Sequence, residues 1–146
     1  MSGYWTLVEP YWSVIEIGEG AEVFQSTFGS VPRTSGLLYA AHFCRSEVGN
    51  GGFRQFFGNN TGVLAPEAVK GFREIDQMRV AELVQLAMDL LNIEYPRERK
   101  QRQDLLSQMP KSYFSDLEDK FFTLIESEAG GFARCRSLCS GDFEQK

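Results

Sequence analysis

The chain has 146 residues, 42 % of them apolar and 13 % aromatic, including twelve phenylalanines. That is the length of one domain, able to bury roughly 70 % of the surface its unfolded chain exposes, and the composition excludes a disordered protein. Twenty acids against fifteen bases leave a net charge of −5, which argues against direct binding to nucleic acid or to an anionic membrane.

The opening MSGYWTLVEPYWSV has neither the basic region nor the apolar run of a signal peptide. The longest apolar stretch, GLLYAAHF, is less than half of a ~20-residue membrane span. Three cysteines, odd in number and without framework spacing, fit a reducing compartment. The expectation is a cytoplasmic protein with no membrane segment.

Pro10 reads as the opening of a first helix, with Tyr11, Trp12 and Ile15 on its inner face and Gly18 and Gly20 breaking it. Glu16, Glu19 and Glu22 recur every three residues here, about 4.5 Å apart along a regular helix. Pro32 precedes a second helix, in which Leu37, Ala40, Ala41, Cys44 and Val48 keep helical spacing. A glycine cluster follows, then a short aromatic turn, FRQFF. Pro66 marks the start of another helix, with Lys70 and Glu74 spaced to pair on its outside. Val80, Leu83, Val84, Ala87, Leu90 and Leu91 form the clearest apolar stripe, closed by Pro96. RERKQRQDLL is a short basic helix or a loop, and if helical it would pair Glu98 with Arg102.

The last strong helix is expected between Ser112 and Glu128. Phe114, Leu117, Phe121, Leu124 and Ile125 point inward, while Asp116, Asp119 and Glu126 point outward. Ser115 and Glu118 have capping-box spacing. Residues 129–146 are read as one short helix and then a frayed tail. Strand-like alternation is hard to find, so the fold class is all-α: one domain spanning 1–146, with about five to seven helices.

The glycines do not match a nucleotide motif. After Gly49-Asn50-Gly51, Arg54 stands where the dinucleotide fingerprint requires its third glycine, and a P-loop Gly-Lys-Ser/Thr is missing. The cluster reads instead as architecture. Gly51 and Gly52 take left-handed or crowded positions, Phe53, Phe56 and Phe57 fill the core, and Asn50 and Asn59 bond to local backbone. His42 is the sole histidine. With Cys44, Cys135 and Cys139 the ligand count suits zinc, but the spacing does not, and His42 and Cys44 diverge by about 200° on a helix. No metal, cofactor or catalytic residue is therefore assigned.

The run Glu47-x-x-Asn50-Gly51-Gly52-Phe53-x-Gln55-Phe56-Phe57-x-Asn59, followed by Thr61-Gly62, resembles the signature of the DNA-mimic-protein family, a bacterial domain group. With the order of helices around it, the resemblance covers about residues 33–126. It implies an all-α fold and a role as an acidic decoy that keeps DNA off a basic, DNA-binding protein. In that reading two acidic trios are the partner-binding candidates: Glu16, Glu19 and Glu22, and Asp116, Asp119 and Glu126. Residues 1–32 hold four acids and no base, and residues 103–128 hold six acids and two bases. Residues 97–102, with four bases and one acid, interrupt that balance. An immunity-like or antitoxin-like protein is the alternative, and an enzyme with an unadvertised site is a second. A homodimer is left open.

Overall fold

The structure, a computed structural model, describes residues 5–127. Among them are seven α-helices and no strand: α1 (Trp5–Val8), α2 (Ala21–Gly29), α3 (Arg33–Gly58), α4 (Ala65–Glu74), α5 (Met78–Leu91), α6 (Arg99–Leu106) and α7 (Ser115–Ser127). The class is all-α, as expected. The tail at 129–146, with Cys135 and Cys139, lies outside the described residues. No helix among the described residues is long and apolar enough to cross a membrane.

The centre is α3. Helix α4 packs along it, α1, α6 and α7 touch it, and α5 lies on α4 and against α7. The spacing that marked α3 in the sequence is its buried face: Leu37, Ala40, Ala41, Cys44 and Val48 are all in the core. Small residues draw α4 close. A Cβ on Gly71 would strike the Leu37 carbonyl, so glycine there lets the two backbones meet. In α5 the buried stripe is Val80, Leu83, Val84, Ala87 and Leu91, whereas Leu90, expected inside, is 40 % exposed. Helix α5 also ends at Leu91, where Asn92 turns extended, well before Pro96.

The N-terminal helix expected after Pro10 does not form. Pro10 sits in a three-residue 3-10 turn, Glu9–Tyr11, and the chain then runs irregularly to Gly20, whose φ is 97°. The Glu16 N–H donates to Thr27 Oγ1 of α2 at 2.9 Å, a tertiary bond in place of a helical one. Ile15 is buried, and Trp12, 37 % exposed, packs on Trp5, Tyr39 and Phe43.

Two expected ion pairs are also replaced. Glu74 pairs with Arg33 at 3.0 Å rather than with Lys70. The Glu98 carboxylate accepts the Ala21 N–H at 3.2 Å, an acceptor for the first turn of α2, while Arg102 turns inward.

Candidate functional site

Helix α3 bends inside the glycine motif. Gly52 has φ 78° and ψ −176°, a region essentially closed to residues with a Cβ, and an added Cβ would also strike the Glu118 carboxylate. Gly51 is the crowded position of the two, not a left-handed one. Its φ of −150° is open to any residue, and the Gln55 side chain is what crowds it. The bend leaves the following turn with unsatisfied N–H groups. Glu118 of α7 answers this, its Oε2 accepting the Phe53 N–H at 2.9 Å. Glu118 therefore caps α3 rather than closing a box with Ser115.

One turn before the bend, Glu47 gathers the motif's polar side chains. Its Oε1 accepts from Asn59 Nδ2 at 2.8 Å and from Thr61 Oγ1 at 2.9 Å. Its Oε2 accepts from Gln55 Nε2 at 3.2 Å, and Gln55 Oε1 accepts from Asn50 Nδ2 at 3.1 Å. Asn50 and Asn59 thus bond side chains, not the local backbone expected of them. Beneath this network Phe53, Phe56 and Phe57 are fully buried, with Phe53 and Phe57 packed on Phe114 and Phe53 also edge-on to Phe121. The motif is a brace that fixes the angle of the bend.

In the basic segment before and within α6, Arg97 and Arg102 turn inward while Arg99 and Lys100 stay exposed. Arg102 is 1 % exposed, and its guanidinium donates to the carbonyls of Phe57 at 2.7 Å and Asn59 at 3.0 Å, as well as to Pro96 and Arg97. Arg99 donates to the Gly58 carbonyl at 2.8 Å. These are the carbonyls a helix end leaves open, and cations suit its negative pole. Arg97 forms a two-pronged pair with Glu67, at 2.7 and 2.8 Å. In return, Arg54 of α3 donates to the carbonyls of Leu106, Met109 and Pro110 at and beyond the end of α6. Each helix end is held by an arginine of the other.

All six candidate acids are exposed. Asp116, Asp119 and Glu126 share one regular helix, α7, opposite the buried Leu117 and Phe121. The N-terminal trio is not on one helix: Glu16 and Glu19 stand in the irregular segment, and only Glu22 is in α2. Asp119 also lines a groove of about 540 Å³ between α5 and α7.

His42 lies in an aromatic group with Trp5, Trp12 and Phe43, at ring-centre distances of 5.3, 5.9 and 5.7 Å. Burial, and secondarily Arg45, hold its pKa below the usual 6.5. Cys44 is fully buried, which pushes its thiol well up.

A family model described as DMP19-like protein matches residues 29–139, more than half of the chain. The chain belongs to the DMP19-like protein family. No curated protein and no solved structure matches it. The family match extends beyond the 33–126 read from the motif and includes both the bend and α7. The glycine motif was visible in the sequence, but three residues central to its geometry, Arg54, Arg102 and Glu118, carried there only local readings and not these roles. Their partners lie 45 to 65 positions away in the chain, beyond any local pattern.

Proposed function

We propose that this DMP19-like chain is a DNA mimic, presenting exposed carboxylates to the DNA-binding surface of a basic protein. Family membership supports this class of role, since the DMP19-like family implies binding to a DNA-binding protein. The observation that carries it for this chain is the solvent-facing placement of the candidate acids. Arg54, Arg97 and Arg102 are directed at internal carbonyls and at Glu67, while the six candidate acids face solvent. Glu47, Glu67 and Glu118 turn inward in equal number, so the exposed charge stays near the net −5, and what supports the reading is where the outward acids stand rather than an excess of them.

Helix α7 is the better candidate face. Its three outward acids spread over about 15 Å of a rigid helix axis, against a phosphate rise of about 3.4 Å per strand. Asp116 has a second role, because a carboxylate in the first turn complements the helix dipole. Reversing it would confound binding with stability, so the test uses Asp119 and Glu126.

The full chain, immobilised, would capture its DNA-binding partner from native lysate at low salt. Fluorescence anisotropy would then measure displacement of labelled duplex from that partner. The wild type should displace DNA and lose this ability as salt rises. Asp119→Lys with Glu126→Lys should weaken displacement on the order of tenfold or more at an unchanged melting temperature. A partner that holds the chain and the duplex together, or ignores both reversals, would defeat the reading.

A further inference from the structure

The groove between α5 and α7 has an apolar floor, formed by Leu83, Leu86, Leu117 and Leu124, with Leu86 48 % exposed. It runs from Arg79 to Leu86 on one wall and from Leu117 to Leu124 on the other, about 10 Å along each helix axis. Helix α7 ends at Ser127, within one turn of Leu124, so the chain continues from beside the groove. The sequence that follows has a pattern. Glu128, Ala129, Gly130 and Gly131 suit a reversal of direction and reach about 14 Å when extended. Residues 132–139, FARCRSLC, hold two bases and no acid. At helical spacing Phe132, Cys135, Leu138 and Cys139 share an arc of about 120°, and Arg134 and Arg136 flank that arc on opposite sides. Eight helical residues are about 12 Å long, a close match to the groove. The family match also continues past Ser127 and stops at Cys139, where this pattern ends.

We infer that residues 132–139 dock as a helix in the α5–α7 groove of their own chain, with Phe132, Cys135, Leu138 and Cys139 on the leucine floor. Burial of that apolar arc against the floor supplies the association. Each wall carries an acid for the arginine on its side, Glu82 on α5 and Asp119 on α7, next to one base apiece, Arg79 and Lys120. The four-residue connection keeps the segment at an effective concentration of about millimolar or more, which favours it over any separate molecule. Asp116 and Glu126 do not line the groove and stay open to a partner, so the inference stands apart from the decoy reading.

The two cysteines of the apolar arc are the probe, and Cys44, fully buried in the core, is the internal control. The full chain, reduced, is treated with iodoacetamide, and the rate at each cysteine is read by peptide mass mapping. Cys135 and Cys139 should react about tenfold or more slowly than in the urea-unfolded chain, at a rate independent of protein concentration. Leu86→Lys, at a half-exposed position of the floor, should return both to nearly the unfolded rate while Cys44 stays unchanged. Mild oxidation of the Leu86→Cys variant should form a disulfide within one chain, to Cys135 or Cys139. Wild-type Cys135 and Cys139 that react at the unfolded rate, or that stay protected in Leu86→Lys, would overturn the inference. So would protection that grows with concentration, or cross-links formed only between chains, either of which would hand the groove to a second copy.

Discussion

At Gly52 a backbone demand and a side-chain demand fall on one residue. The φ of 78° excludes a Cβ, and the space a Cβ would need is filled by the Glu118 carboxylate that caps Phe53. Gly52→Ala should therefore lower stability by about 1–3 kcal/mol for the backbone alone, and displacing Glu118 adds to this. Gly51→Ala should cost less, about 1–2 kcal/mol, because its φ carries no strain, although the Gln55 side chain from its Cβ outward has to give way. Urea denaturation would rank the two, and equal costs would mean that the bend is not held as described. Glu118→Ala should cost about 1–2 kcal/mol by orphaning the Phe53 N–H, whereas Glu118→Gln keeps an acceptor and should cost less.

Among the elements, α6 is the one least able to stand alone. It has eight residues, too few for an isolated helix in water, and buries only Arg102 and Leu106. What fixes it is the guanidinium of Arg102 under the end of α3. Arg102→Met should cost about 3 kcal/mol or more, since it strands several carbonyls in the interior. Arg102→Lys should not restore the loss, because a single ammonium cannot reproduce the planar fork. Thermal denaturation of both variants would show it. The same contacts explain what the sequence made legible. The stripes of α3 and α5 and the outward acids of α7 depend on periodicity within one helix, and they were readable there. The caps from Glu98, Glu118, Arg54 and Arg102 join residues far apart in the chain, and no local spacing announces them. The N-terminal misreading has the same cause: Thr27, eleven residues on, takes the Glu16 N–H. At Glu47 a carboxylate near a helix bend looks solvated in sequence, yet it organises four neighbouring side chains, one of them through Gln55.

For the whole molecule, the titrating groups bracket a range of pH in which the fold is most stable. His42 has a folded pKa below its usual 6.5, so the unfolded chain binds the proton more readily. Its contribution is full above pH 6.5 and is lost as pH falls through the lower, folded value. Tyr39 is pushed up to about 12, first by burial and then by Glu16. That contribution is full below the ordinary value of 10 and is lost as pH rises from there through about 12. Buried Tyr95 and Cys44 shift in the same upward direction. Melting temperatures should therefore be highest between these limits. His42→Phe should reduce the loss on the acid side, and Tyr39→Phe should reduce the alkaline loss while the part due to Tyr95 and Cys44 persists, each leaving the other side unchanged.

The exchange of arginines between the ends of α3 and α6 also bears on how the native state opens. Arg54 cannot release α6 without disturbing the bent half of α3, and Arg102 cannot leave α3 without dismantling the turn it belongs to. Neither helix end can fray privately. In hydrogen-exchange terms the two form one cooperative unit, in which the amides of the short helix share the protection of the long one. The segment richest in surface-type residues is thereby tied to the most deeply buried helix.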